Sequence, residues 1–115
     1  MKVHVAASVL ASGRGVCPGR AAGPAFVSTG GDLTDCPDGA VLVLPETPAE
    51  GVTGDPSPVA AIVTAERGTT SYPAILAREL GVPLVGDVTT TLENGAVVTV
   101  DGDRGVVYES DVRER

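Results

Sequence analysis

Residues Val59 to Ala65 read VAAIVTA, a run of strand length without a charged side chain, and together with the next twenty residues it restricts the chain to few folds. A strand this apolar suits a position covered on both faces, so it is expected to lie inside a sheet and not at its edge. The polar, glycine-containing stretch ERGTTS comes next, and then a helix is predicted over Tyr72 to Leu80. Ser71 stands at its N-cap, Pro73 sits in the first turn where a missing N–H costs nothing, Gly81 lies just past the end, and Pro83 comes soon after. PLVGD then reads as another strand. Buried strand, turn, capped helix and strand together predict an α/β or layered β/β/α architecture.

The remaining segments fill in around this unit. Met1 to Val5 alternates and is read as a short strand passing into a short helical turn at Ala6, Ala7, Val9 and Leu10, closed by Gly13. SGRGVCPG, residues 12–19, has glycines without the strand before and helix after that a dinucleotide fingerprint needs, and is read as a turn. Pro24 to Ser28 and Ala40 to Leu44 are expected to be buried strands. Pro45 to Pro58 holds four prolines and little apolar content, as a surface connection would. On the helix, Tyr72, Ile75, Leu76 and Leu80 are expected to form the buried stripe, with Arg78 and Glu79 in solvent. VTTTLENG is read as a short helix or turn closed by Gly95, and Ala96 to Val100 with Val106 to Tyr108 as a hairpin. Its DGDRG turn resembles the start of a calcium loop, but the twelfth position is Val112 where a bidentate glutamate is needed.

Composition limits the chemistry. At 115 residues one core is possible, and with 3% aromatic against 43% hydrophobic residues it must be built from Val, Ala, Leu and Ile. No apolar run approaches the length of a membrane span, and the N-terminus lacks the pattern of a secretory signal, so a cytoplasmic protein without membrane partners is expected. A net charge of −7 without a Lys/Arg cluster argues against nucleic acid. Lys2 is the one lysine among eight basic residues, as either a salt-loving or a GC-rich source would give. Cys17 and Cys36 fit neither a disulfide framework nor a C-x-x-C motif and are read as free thiols. With His4 the single histidine, no zinc-ligand spacing exists, and neither metal nor cofactor is expected in this domain.

The segment IVTAERGTTSYPAILARELGVPLV carries the functional reading. Unpaired N–H groups and the helix dipole make the start of the helix a place where an anion could sit. The series Val63-Thr64, Gly68, Thr70-Ser71, Ala74-Ile75, Ala77 to Gly81 and Pro83 resembles, in order and spacing, the mobile swivelling phosphohistidine domain of phosphoenolpyruvate-utilising enzymes. VCPGRAAGPAFV looks like that family's earlier Ser-Pro-Gly segment, with Cys17 where serine is usual, and NGAVVTVDGDRGVVY like its closing hairpin. The resemblance covers nearly the whole chain. It implies a layered β/β/α swivelling phosphohistidine-type domain over 13–115, with 1–12 an opening strand and helical turn at the junction to a parent protein.

Two departures from the family pattern bear on function. The histidine that receives phosphate in the family corresponds to Tyr72, and a phenol titrating near 10 is a far poorer nucleophile at neutral pH than imidazole. Arg67 replaces the first glycine of the family's Gly-Gly pair. What the resemblance leaves is a degenerate phosphate or anion site at Arg67, Gly68, Thr69, Thr70, Ser71 and Tyr72 with no catalytic residue. Tyr72 is expected to pack its ring beside Leu76 and leave its hydroxyl in water; anion binding without transfer, and phosphate carriage on Tyr72 or a threonine, are the other readings. MKVHVAASVLASGRGV looks like the junction at which some bacterial and archaeal pyruvate kinases enter an extra C-terminal mobile domain. Met1 would then be internal to a longer polypeptide. The partner implied is the rest of a glycolytic pyruvate kinase, a homo-oligomer, with weak phosphate or phosphoenolpyruvate binding. The alternative is a freestanding phosphocarrier or a fragment of a pyruvate phosphate dikinase or phosphoenolpyruvate synthase.

Overall fold

The computed structural model describes residues 8–109. Among these the strands are β1 (Val9–Ser12), β2 (Arg14–Cys17), β3 (Arg20–Val27), β4 (Ala40–Leu44) and β5 (Val59–Thr64). The helix α1 (Tyr72–Leu80) precedes β6 (Leu84–Gly86), β7 (Val97–Asp101) and β8 (Val106–Glu109). The ladder runs β1-β8-β7-β3-β4-β5-β6-β2. Strands β3, β4, β5 and β6 are mutually parallel, while β1, β8, β7 and β3 pair antiparallel and β2 closes the far edge antiparallel to β6. β7 also lies against β5 and β6, which are not its ladder neighbours, so the sheet folds over on itself at β3.

Side-chain alternation on the parallel strands makes the layers. Val41, Val43, Ala61, Val63 and Val85 face Val98, Val100 and Val107 in one apolar cluster between the two halves of the sheet. Leu42, Leu44, Ile62 and Leu84 point the other way, onto Ala74, Leu76 and Ala77 of α1. Successive residues of β4 thus enter opposite cores, which is why the strand has no polar position. The result is the β/β/α order expected from the sequence, with β5 paired on both sides as its composition required.

Several local expectations give way. Val9 and Leu10, read as part of a helical turn, are strand: they pair with β8, where a shift of register between Val9 and Ala11 accommodates them. The expected strand at Met1 to Val5 lies outside the described residues. Residues 14–17, read as turn, form β2 because Gly15 and its neighbours can approach the backbone of the β7–β8 turn closely. A Cβ on Gly15 would meet the carbonyl of Gly102, and one on Gly102 the carbonyl of Cys17. Of the short helix or turn read at residues 88–95 the turn alternative holds, closed at Gly95 with the Ala96 N–H donating to the Glu93 carbonyl (3.1 Å), in a strap from β6 to β7 pinned where the Val27 N–H donates to the Asn94 carboxamide (2.9 Å).

The helix ends at the residues its caps predicted, with Gly81 left-handed at φ 70°. Ser71 has N-cap geometry, but its hydroxyl makes no capping bond. The buried residues are Pro73, Ala74, Leu76 and Ala77; of the predicted stripe Leu76 is buried and Tyr72 and Leu80 pack partly against the same core, whereas Ile75 is 47% exposed. Two alanines at the contact let α1 settle close on the leucines of the sheet, and that rotation carries Ile75 outward.

The DGDRG segment is a turn held from within. One oxygen of buried Asp101 accepts the Asp103 and Arg104 N–H groups (3.0 and 3.1 Å), and the other the Arg104 guanidinium (3.0 Å). Burial pushes the Asp101 carboxyl up, but these bonds and the Arg104 charge outweigh it and hold it below its ordinary 3.8. A carboxylate with a depressed folded value adds stability that is full above 3.8 and fades as pH falls through the folded value. Asp101→Asn should therefore melt lower than the parent at pH 7, and the gap should narrow below pH 4 in melts followed by circular dichroism.

Candidate phosphate site at the start of the helix

Residues 65–71 leave the C-terminal end of β5 and deliver the chain to α1. Gly68 takes φ 87°, a conformation that only glycine adopts freely, and Thr69 and Thr70 are exposed. Pro73 has no N–H, so the first turn of α1 offers an anion at most the donors of Tyr72 and Ala74. The first N–H bonded back into the turn is that of Ile75, to the Ser71 carbonyl at 3.1 Å. No acidic side chain lies in this turn.

Arg67 does not point its charge at this turn unopposed. Its Nε donates to Asp87 at 3.0 Å, in a pair whose side chains are 83% and 41% exposed. Solvent makes such a pair weak, so it orients Arg67 more than it stabilises the fold. Asp87 is non-glycine at φ 59°, and its N–H donates to the Glu66 carbonyl (2.9 Å). Glu66 in turn accepts the Thr47 hydroxyl at 2.6 Å, and its N–H donates to Thr64 Oγ1 at 3.1 Å. Residues 64–67 are thereby tied to the ends of both neighbouring strands.

Tyr72 departs from expectation in one respect. Its ring packs with the helix-side core, in the cluster that contains Leu76. Its hydroxyl is not left to water: the Val52 N–H donates to it at 3.0 Å, across the 45–58 connection. The sequence named Arg67, Gly68, Thr69, Thr70, Ser71 and Tyr72 as candidates but not Val52, Asp87 or Thr47, which reach this turn from positions about 20 residues away and carry no local signal. A separate cavity of about 120 Å³, bordered by Val27, Val43, Val63 and Val88, contains none of the six. Cys17 is buried, Cys36 partly so, and both are free. Among the described residues no cluster of His, Cys, Asp and Glu could hold a metal ion, and no helix is long and apolar enough to cross a membrane.

A parallel β4-β5-β6 core with an antiparallel sheet folded over one face, and α1 on the other entered through a glycine-bearing Thr-Ser turn, defines a swivelling phosphohistidine-type domain. The family profile of the PEP-utilising enzyme mobile domain matches residues 36–105, and the chain belongs to that family. It is 40% identical over 111 residues to the phosphoenolpyruvate synthase of Pyrococcus furiosus, covering 93% of this chain and 14% of that protein. It is 37% identical over 113 residues to the pyruvate kinase of Geobacillus stearothermophilus, covering 94% of this chain and 19% of the kinase. The chain thus spans between about a seventh and a fifth of the length of these relatives. Among solved structures, an Enzyme I protein (nEIt) matches with TM-score 0.56 and 32% identity over 69% of this chain and 34% of that one. Aconitase X of Thermococcus kodakaraensis matches with TM-score 0.62 and 25% identity, covering 85% of this chain and 95% of the matched one.

Proposed function

We propose that this domain is a non-catalytic member of its family, serving a longer phosphoenolpyruvate-metabolising polypeptide as a structural, oligomer-supporting or regulatory module. The observation that carries the reading is Tyr72. The motif resembles the family's up to the position of the phosphate-accepting histidine, and the residue there is a phenol whose hydroxyl is engaged with Val52. Pyruvate kinase is the parent we favour, because the opening segment resembles the junction ahead of its extra C-terminal domain. The reaction of such a parent, phosphoenolpyruvate and ADP to pyruvate and ATP, would be catalysed outside these residues.

A phosphoenolpyruvate synthase parent is the second reading, supported by relatives such as the Staphylothermus marinus protein at 41% identity over 114 residues. It would require Thr70, Ser71 or Tyr72 to accept phosphate. Arg67 and residues 68–72 are proposed to keep only weak anion affinity, millimolar at best or about 4 kcal/mol, since the first turn offers few donors and Arg67 is shared with Asp87.

The purified chain incubated with phosphoenolpyruvate, ADP and Mg²⁺ is expected to form no pyruvate in a coupled assay. Phosphate added in low salt should shift amide resonances of residues 68–72 only at millimolar concentration, and less in Arg67→Ala. Pyruvate formation by this chain would refute the non-catalytic reading.

A further inference from the structure

We propose that Tyr72 and Gly51 form a clasp that straps two surface loops, residues 28–34 and 48–53, down over the start of α1. The strap is a conformational device of this chain and stands whatever polypeptide the domain serves.

The inner half of the clasp is a fitted contact. Gly51 takes φ 75°, and a Cβ placed on it would lie 3.1 Å from the Tyr72 hydroxyl oxygen and 3.2 Å from Cζ. Only a residue without a side chain lets the 48–53 loop come this close to the ring, and the approach brings the next N–H, that of Val52, within 3.0 Å of the hydroxyl. The loop turns on buried Pro48, whose carbonyl accepts the Gly51 N–H at 3.1 Å.

The outer half passes the constraint to a second loop. Thr53 N–H donates to the Gly31 carbonyl (2.8 Å) and Leu33 N–H to the Thr53 carbonyl (2.9 Å), a two-bond bridge between Asp32 and Thr53. Gly31 is pressed against the Gly51 carbonyl and the Pro48 ring, so that any side chain at 31 would collide with them. Buried Ser28 accepts the Gly31 N–H at 2.8 Å, and Leu33 is buried in the helix-side core. From Tyr72 to Ser28 the chain of contacts is unbroken: phenol, Val52, Thr53, Gly31, serine hydroxyl.

The clasp is thus the link between the helix start and two loops that otherwise belong to the ends of β3 and β4. A ligand or partner that donates to the Tyr72 oxygen in place of the Val52 N–H releases Val52, and with it the hold on residues 31–33, whereas the Tyr72 O–H keeps its own proton to donate. The side of the helix start that bears the Tyr72 hydroxyl is thus occupied by the chain itself, while Thr69 and Thr70 stay exposed.

Amide hydrogen exchange read by NMR on the whole chain tests this. In the unmodified protein Val52, Thr53 and Leu33 should all exchange slower than unstructured chain. Tyr72→Phe keeps the ring and removes only the acceptor. It should speed exchange at Val52 by about tenfold, the equivalent of 1.4 kcal/mol. Thr53 and Leu33 should respond in the same direction, while Ile62 and Val63 in the centre of the sheet stay unchanged. Unprotected Val52 in the unmodified chain, or Val52 exchange unaltered in Tyr72→Phe, would overturn the clasp. Acceleration confined to Val52 would overturn its extension to the second loop. The measurement on the unmodified chain stands even where the variant folds poorly, and none of these outcomes depends on phosphoenolpyruvate.

Discussion

Gly102→Ala is expected to cost about 3 kcal/mol, the upper range for forcing added volume into a packed site, and to lower Tm by more than about 10 °C. The backbone angles at this residue are ones that alanine can adopt; the obstacle is space. Its Cβ would fall on the Cys17 carbonyl and within 3.2 Å of Pro83 Cβ, and a carbonyl held in the β2–β6 ladder cannot turn aside as a flexible side chain can. The Gly102 N–H also donates to the Gly19 carbonyl at 2.8 Å. Displacing the turn would break the contact by which the β7–β8 hairpin is drawn over the far edge of the sheet. Gly95→Ala is the fitting control for chain entropy, since nothing lies within 4 Å of a Cβ there although its φ of 91° carries its own strain. A loss at Gly102 no greater than at Gly95 would mean that the β2 edge yields.

The range over which each interaction acts decides how much of the fold is legible in sequence. β4, β5 and α1 were legible because their determinants are local: unbroken apolar runs, a serine, a proline and a glycine at the helix boundaries. β2 was not, since RGVC has strand character only through partners at Gly86, Val85 and Leu84 and the close backbone approach to Gly102 that Gly15 permits. Ile75 was misplaced because helical spacing alone does not say that alanines, and not the larger residues, form the contact with the sheet. At the site the residue types were visible, but their engagement was not. The Arg67–Asp87 pair spans 20 positions, as does Val52 to Tyr72, and no pattern in one chain marks such bonds. The open anion site expected at residues 67–72 is therefore, in the folded chain, one whose cation and phenol both have partners.

Restoring the family's residue should have the larger chemical effect. Tyr72→His, treated with phosphoramidate, a small donor that phosphorylates accessible imidazoles, is expected to gain a phosphoryl group at residue 72. A neutral imidazole nitrogen carries an unshared pair ready to attack phosphorus, whereas a phenol must first lose its proton, so histidine is by far the better phosphoryl acceptor. The shorter side chain also gives up the Val52 bond, which frees the position from the 48–53 loop. Labelling must be read by peptide mapping, because both proteins also carry the imidazole of His4. An unlabelled residue 72 in a folded Tyr72→His protein would mean that the start of α1 is inaccessible for reasons beyond the phenol.

Whether this mobile domain carries phosphate is tested most directly by incubating the unmodified chain and Tyr72→His side by side with phosphoenolpyruvate as phosphoryl donor, Mg²⁺, and catalytic amounts of the Pyrococcus furiosus synthase to transfer the group from phosphoenolpyruvate, which leaves as pyruvate. The products are then mapped by mass spectrometry. The unmodified chain should emerge without phosphate anywhere in residues 67–72, including when the histidine variant is labelled beside it. A stable phosphoryl group on Thr70, Ser71 or Tyr72 of the unmodified chain would contradict the non-catalytic reading and make this domain a carrier.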